Sequence, residues 1–139
     1  MRTDLRFPGW IVVIGVVAVF VSASAAQGDD SAARARAMIA KWAGSYRTEG
    51  FLKEPAVHAE LQALLGSEIN HLMDNLNVRG GVDLSGETLS VNGNAPHQGT
   101  EEEAIVCVTV LPLKTIVEAA ILSKGTIAVY SREKQYENA

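Results

Sequence analysis

The chain has 139 residues, with 12 Lys and Arg against 16 Asp and Glu and a formal net charge of −4 at pH 7. This length predicts one domain with a real hydrophobic core and little room for a deep cleft beside it. The acidic balance argues against nucleic acid as a partner and is compatible with a basic protein partner. A single cysteine, Cys107, excludes an internal disulfide.

The N-terminus has the pattern of a secretory signal peptide over residues 1–26. Two arginines precede an uncharged apolar run over residues 11–21, and small residues follow as far as Ala26, which fits an Ala-x-Ala cleavage site. The run is shorter than the roughly 20 residues of a membrane span. We therefore expect a single mature domain over residues 27–139, periplasmic or secreted and free of the membrane. The alternative is that the segment is retained as an anchor.

A first helix is expected after a polar leader at residues 27–30, with Asp30 or Ser31 as its cap and its end at Ala43. Ala35, Met38 and Trp42 recur at helical spacing and predict its apolar side. Trp42 and the nearby Tyr46 could form a binding platform. At this spacing, aromatic residues more often anchor a core, and the core role is the one expected here.

Two more helices are predicted. One begins at residues 54–55, because proline is favoured in the first turn of a helix, and ends at Gly66. The other starts at Ser67 and ends near Asn77. The two are expected to form a helical hairpin joined at residues 66–67.

From Val78 onward the apolar period changes to two, which predicts an antiparallel meander of about five strands. Turns are expected at residues 85–86 and 123–125. The run over residues 103–111 is apolar on both faces, as is typical of a central strand covered by helices on at least one side. Cys107 lies in this run and is expected to be a small core residue. The predicted fold class is therefore α+β, with N-terminal helices packed on the meander.

No catalytic or metal-binding motif stands out. His58 and His71 fall on polar helix faces, where surface positions are expected, and the residues four further on, Gln62 and Asn75, do not complete a helical metal site. The adjacent glutamates at 101–103 are typical of a solvated run rather than of paired catalytic carboxylates. We therefore expect no enzymatic activity, no metal and no cofactor.

The segment over residues 93–99 is the most distinctive in the chain. Pro96 stiffens the approach to His97, and the segment joins two predicted strands, so its tip should project from one end of the sheet. A projecting loop with an imidazole and amide side chains suits insertion into a partner's cleft. An ordinary turn beside a solvated acidic run is the alternative. The candidate partner-binding residues are Asn94, Ala95, Pro96, His97, Gln98 and Gly99.

This loop, followed by the apolar strand that starts at Ala104, resembles the Ivy family of inhibitors of vertebrate lysozyme, small exported α+β proteins of Gram-negative bacteria. The signature of that family is a Cys-Lys-Pro-His-Asp-Cys loop placed before a β-strand. The resemblance implies that the loop enters the lysozyme cleft and that its histidine hydrogen-bonds the catalytic carboxylates. The matching positions are Pro96 and His97, with Gly99 beside them.

The chain departs from this signature at several positions. Asn94 matches the first cysteine, the second cysteine has no counterpart, Ala95 matches the lysine and Gln98 matches the aspartate. The disulfide that rigidifies the loop in the family is therefore missing, which lowers the expected preorganisation.

Two functions of different classes follow. The first is an exported, periplasmic inhibitor of lysozyme-type muramidases that inserts the 93–99 loop into the active-site cleft of a basic lysozyme, with a homodimer as one arrangement. The second is a non-catalytic envelope domain that binds a small ligand or acts as a structural or interaction module. The second predicts an apolar pocket between helices and sheet, lined by Trp42 or Tyr46.

Overall fold

The computed structural model describes residues 22–132, with side chains from residue 28 onward. The first 21 residues of the predicted signal peptide lie outside these residues. In the described part, helices precede an antiparallel sheet, which confirms the α+β class. The elements are α1 (Ser22–Trp42), α2 (Thr48–Leu52), α3 (Pro55–Leu65), a 3-10 turn (Gly66–Glu68), α4 (Ile69–Asn75), β1 (Val78–Arg79), β2 (Asp83–Ser85), β3 (Thr88–Asn94), β4 (Glu102–Leu111), β5 (Lys114–Ser123) and β6 (Thr126–Tyr130).

The helix α1 begins at Ser22, so the predicted cap at Asp30 or Ser31 is wrong and both residues lie inside the helix. The predicted polar leader at residues 27–30 is helical for the same reason. Three of the five residues between Ser22 and Ala26 are alanine, a strong helix former, and they let the helix continue toward the N-terminus.

The apolar side of α1 agrees with the sequence pattern except at its end. Ala35 and Trp42 are buried and Met38 packs against the core. Tyr46, however, is 85% exposed, so its predicted role as a core anchor is wrong. The helix ends at Trp42, and Tyr46 lies in the bend that follows, out of helical register.

The short helix α2 was not predicted, yet it completes the surroundings of Trp42. Phe51 of α2 is fully buried, and its ring centroid lies 5.8 Å from that of Trp42. The indole Nε1 of Trp42 donates a hydrogen bond to Glu54 Oε1 at 3.0 Å, and Lys41 contacts the same carboxylate. The predicted helix at Pro55 is confirmed, with the proline in its first turn.

The sheet has the order β1-β3-β4-β5-β6, and β2 also pairs with β3. Strand β3 therefore carries β1 against its last two residues and β2 against its first three. The sheet has six strands rather than the predicted five or so, because Val78–Arg79 forms a short strand that pairs with β3 separately from β2. Strand β4 lies between β3 and β5, which confirms the prediction of a central strand.

Strand β3 continues to Asn94, so residues 93 and 94 of the predicted 93–99 segment belong to the strand. The continuation requires glycine at position 93, because a Cβ atom there would lie 2.5 Å from the carbonyl oxygen of Val78. Gly93 is thus a strand residue that lets β1 approach closely, rather than part of the loop.

The hydrophobic core lies between the helices and one face of the sheet, where α1 contacts β4, α3 contacts β5 and α4 contacts three strands. Alternate residues of β4 face this core, including Val106 and Val108. Cys107 between them points to the opposite face and is only half-buried, so its predicted core position is wrong. Burial and the neighbouring Glu118 raise the pKa of its thiol, which keeps it protonated and unreactive.

Candidate partner-binding loop

The predicted loop is a hairpin connection between β3 and β4 at one end of the sheet. Asn94 pairs with Glu103 as the last partners of the two strands, so Asn94 stands at the loop base rather than in the loop. The connection is residues 95–101, and we call it the 95–101 loop. Its closing hydrogen bond runs from Ala95 N–H to the Glu102 carbonyl at 3.0 Å. Residues 96–101 are all exposed.

His97 lies at the tip of a tight turn. The N–H of Gln98 donates to the carbonyl of Ala95 at 3.1 Å, which places Pro96 and His97 at the two central positions. His97 has a φ of +62°, the sign that a type II turn requires at its third residue. This position normally takes glycine, because a side chain there costs about 1–2 kcal/mol. The exposed imidazole is therefore held in a strained conformation.

A second turn completes the loop. The N–H groups of Glu101 and Glu102 both donate to the carbonyl of Gln98, at 3.1 and 3.0 Å. Thr100 has a φ of +79°, and its N–H donates to Glu103 Oε1 at 3.0 Å. The loop thus satisfies several of its own backbone groups, which gives it order without a disulfide.

Backbone strain in the described part of the chain is concentrated at this end of the sheet. The non-glycine residues with positive φ between residues 22 and 132 are His97, Thr100 and Lys124. Lys124 belongs to the β5–β6 turn, and its N–H donates to the carbonyl of Glu101 at 3.0 Å. Strain of this kind persists where the surroundings hold it, and it is often found at functional sites.

The loop base is fixed through the side chain of Glu102. Its Oε2 atom lies 2.9 Å from Nε2 of His71 and 3.3 Å from Nδ2 of Asn75, and its Oε1 atom accepts from Ser123 Oγ at 2.7 Å. These partners come from α4 and β5. Three donors on one carboxylate therefore join the loop base to the helical layer and to the neighbouring strand.

Asn75 extends this connection into the protein interior. It is only 2% exposed, and its Nδ2 also donates to the carbonyls of Glu103, at 3.2 Å, and Leu122, at 3.3 Å. A buried amide with such partners is satisfied, so it stabilises the position of β4 beside β5 under the loop.

His71 lies at the surface, as expected, but it has partners that the sequence did not indicate. Its side chain is 37% exposed, and its two ring nitrogens contact Glu102 and Glu68. The hydrogen bond to Glu102 is the main cause that raises the pKa of His71, and Glu68 adds to it. The same hydrogen bond is the main cause that lowers the pKa of Glu102. His71 and Glu102 are 31 residues apart, so no local sequence pattern predicts their contact. Of the two partners of His71, only Glu68 is close in the sequence.

The three adjacent glutamates at 101–103 do not share one environment, because neighbouring strand residues point to opposite faces of the sheet. Glu101 and Glu103 are exposed, whereas the side chain of Glu102 is 13% exposed and points to His71. The predicted solvated run is therefore wrong for its middle member. The two outer carboxylates give the loop an acidic flank.

Two recesses bear on the alternative of ligand binding. One of about 210 Å³ lies between α1 and the β4–β5 turn, and most of its lining is apolar, although Arg34 and Lys114 are part of it. The other, of about 510 Å³, has Tyr46 in its lining beside a largely charged set of residues, namely Arg47, Glu49, Lys53 and Arg79. Trp42 is buried and lines neither recess. The first recess lies between helix and sheet but has neither Trp42 nor Tyr46 in its lining, and the second has Tyr46 in a largely charged lining, so neither matches the pocket predicted by this alternative.

Within residues 22–132, no group of three or more His, Cys, Asp or Glu side chains is placed to hold a metal ion. Across the same residues, no helix combines the length and the apolar character needed to cross a membrane.

A sequence model of the family described as "Inhibitor of vertebrate lysozyme (Ivy)" matches residues 56–138, which is more than half of the chain. The matched segment runs from the first turn of α3 through the whole sheet and includes the 95–101 loop. No curated protein and no solved structure matches the chain.

Proposed function

The chain belongs to the Ivy family, the inhibitors of vertebrate lysozyme, and on that premise we propose that it is an exported inhibitor that inserts its Pro96-His97 turn into the active-site cleft of a lysozyme. The observation that carries this proposal is the conformation of His97, an exposed imidazole at φ +62° on a hydrogen-bonded turn. Because the tip is already ordered, it loses less conformational entropy when it enters a cleft.

The imidazole fits the chemistry of that cleft. Lysozyme uses two carboxyl groups, one kept protonated as the acid and one ionised. A neutral imidazole has one N–H donor and one acceptor nitrogen. His97 can therefore donate to the ionised carboxylate and accept from the protonated one, which occupies both groups that hydrolysis needs.

Charge supports the same partner. The carboxylates of Glu101 and Glu103 are exposed beside the turn, and the chain has a net charge of −4. Opposite charge on a basic lysozyme raises the rate of encounter and helps to orient it.

Export through the predicted signal over residues 1–26 is part of the proposal, and it would bring the protein to the periplasm, where it could meet a lysozyme. The family is one of inhibitors, which agrees with the expectation that the chain is not an enzyme. The homodimer stays a prediction. Sedimentation analysis of the mature chain over residues 27–139 tests it.

A lysis assay tests the function. The mature protein is added to a vertebrate lysozyme acting on bacterial cell walls, with His97→Ala and, as a control on α3, His58→Ala. The proposal expects inhibition by the wild type and by His58→Ala, and its loss in His97→Ala. Unchanged lysozyme activity at micromolar wild-type protein would contradict it and return attention to the envelope-domain alternative.

A further inference from the structure

Both ring nitrogens of His71 face carboxylates. Nε2 lies 2.9 Å from Glu102 Oε2, and Nδ1 lies 3.3 Å from Glu68 Oε2. An ionised carboxylate only accepts hydrogen bonds, and a neutral imidazole has a single N–H. Both contacts can therefore be hydrogen bonds at once only when His71 carries a proton on each nitrogen. The geometry is that of an imidazolium bridging the 3-10 turn before α4 to strand β4.

The residue that His71 holds is the one on which the loop closes. The backbone N–H of Glu102 donates to Gln98, the last residue of the first turn, and its carbonyl accepts from Ala95, the first residue of that turn, so both ends of the first turn are bound to this residue. Its side chain is bound by His71, Asn75 and Ser123. A displacement of the Glu102 side chain would therefore be transmitted to the first turn.

We propose that protonated His71 is a positioning residue for the partner-binding loop: by holding Glu102 together with Asn75 and Ser123, it supplies the order that a disulfide would otherwise give, and it makes this order depend on pH. The link to lysozyme rests on the proposed function, whereas the ordering of the loop does not. Loop order, and with it affinity for the partner, declines as His71 loses its proton.

The surroundings support this assignment. The charged groups that face the imidazole among the described residues are Glu68 and Glu102. Strand β3 carries no charged residue. Of the other acidic residues on elements packed against α4, Glu60 of α3 contacts Arg132, Glu103 of β4 accepts from the Thr100 N–H, and Glu118 of β5 accepts from Ser131.

The sign of the pH effect follows from linkage. The pKa of His71 is raised above its ordinary 6.5, so its contribution is complete below pH 6.5 and is lost as the pH rises through the raised value. The pKa of Glu102 is lowered from 4.5, so its contribution is present above pH 4.5 and is lost as the pH falls through the lowered value. The loop is therefore most ordered between pH 4.5 and pH 6.5.

Hydrogen exchange on the free mature protein tests the positioning without any partner. The probes are the amides of Gln98, Glu101 and Glu102, corrected for the intrinsic pH dependence of exchange. We expect their protection factors to be at least about threefold higher near pH 5.5 than near pH 8.5. A factor of this size corresponds to the free energy of a partly exposed ion pair. In His71→Gln, which keeps an N–H donor but does not titrate, the pH dependence should disappear. Equal protection at both pH values in the wild type would overturn the proposal.

Binding to a vertebrate lysozyme supplies the second readout. The ratio of dissociation constants for His71→Gln and wild type cancels the titration of lysozyme itself. We expect a ratio of about three to five near pH 5.5 that falls toward one near pH 9. His58→Gln should give a ratio of dissociation constants of one at every pH. Ser123→Ala should weaken binding between pH 4.5 and pH 6.5, but the pH at which binding declines on the alkaline side should not change.

The two failures are distinguishable. If the wild type does not bind lysozyme but its exchange follows the expected profile, the proposed function fails and the positioning role of His71 stands. If the wild type binds but the ratio for His71→Gln is flat with pH, the positioning role fails and the inhibitor function stands.

Discussion

Asn94 and Gly99 face each other across the base of the 95–101 loop: a Cβ atom at Gly99 would lie 3.7 Å from Nδ2 and 3.8 Å from Cγ of Asn94. The two positions are five residues apart, the same spacing as the two cysteines of the family's Cys-Lys-Pro-His-Asp-Cys loop. Gly99 is not among the glycines with positive φ, so its backbone accepts a side chain. A side chain at position 99 would therefore point toward the side chain at position 94.

We predict that Asn94→Cys with Gly99→Cys, made in a Cys107→Ala background, oxidises to an internal disulfide. So short a closed loop gives roughly 2 kcal/mol of stabilisation in the chain-entropy model. The free energy of unfolding measured with and without reductant gives the gain directly. Inhibition of lysozyme should strengthen on oxidation. A pair that stays reduced under oxidising conditions would contradict the facing geometry.

Gly93→Ala should destabilise the fold by about 1–3 kcal/mol, since the new methyl group would overlap the Val78 carbonyl and force β1 away from β3. Gly80→Ala is the matched control, because nothing lies within 4 Å of a Cβ at that position. It should change stability by less than about 0.5 kcal/mol. Urea unfolding of the two variants checks the difference, and equal midpoints would refute the close approach.

His97 variants should separate strain from function. His97→Gly should be more stable than His97→Ala by about 1 kcal/mol, because only glycine adopts φ +62° without cost. Both should lose inhibition, since both lack the imidazole. Urea unfolding and lysozyme inhibition are measured on the same samples. If His97→Ala proved the more stable of the two, the turn would not be strained at this residue.

Glu54 offers a test of the helical layer. Glu54→Ala removes the acceptor of the Trp42 indole N–H and should cost about 1–3 kcal/mol, whereas Glu54→Gln keeps an acceptor and should cost less than 1 kcal/mol. Trp42 is the sole tryptophan of residues 27–139, so its fluorescence reports unfolding.

The same pair has a defined pH dependence. Mainly through its hydrogen bond to Lys41, the pKa of Glu54 is lowered from 4.5, so its contribution is present above pH 4.5 and is lost as the pH falls through the lowered value. The difference in the free energy of unfolding between wild type and Glu54→Gln should vanish once the pH is below the lowered pKa of Glu54. A difference that persists at the acid end would mean that the charge of Glu54 is not its cause.

The fold was predictable where local pattern and tertiary role agree. Pro55 at a helix start, the turn within residues 123–125 and the central strand around Val108 all follow from short-range sequence signals. The two-residue strand β1 and the five-residue helix α2 are too short to show a period, so they were missed. Tyr46 was misplaced because helical spacing was applied to a residue beyond Ala43, the predicted end of the helix.

For the candidate site, the sequence indicated the Pro96-His97 turn but not the side-chain contacts that hold the base of the loop in place. Pro96 and His97 are adjacent, so their motif is visible in the chain. The carboxylate that fixes the loop, Glu102, meets His71 only because α4 packs on β4, and contacts over 31 residues leave no local pattern. The positive φ of His97 is likewise a result of the closed turn rather than of residue preference.

The central claim is that the Pro96-His97 turn occupies the active-site cleft of a lysozyme. The most direct measurement is binding of the mature protein to a vertebrate lysozyme at increasing concentrations of a chito-oligosaccharide that fills the cleft. We predict simple competition, with binding abolished once the saccharide saturates the cleft. Binding that is unchanged by a saturating saccharide would contradict insertion into the cleft.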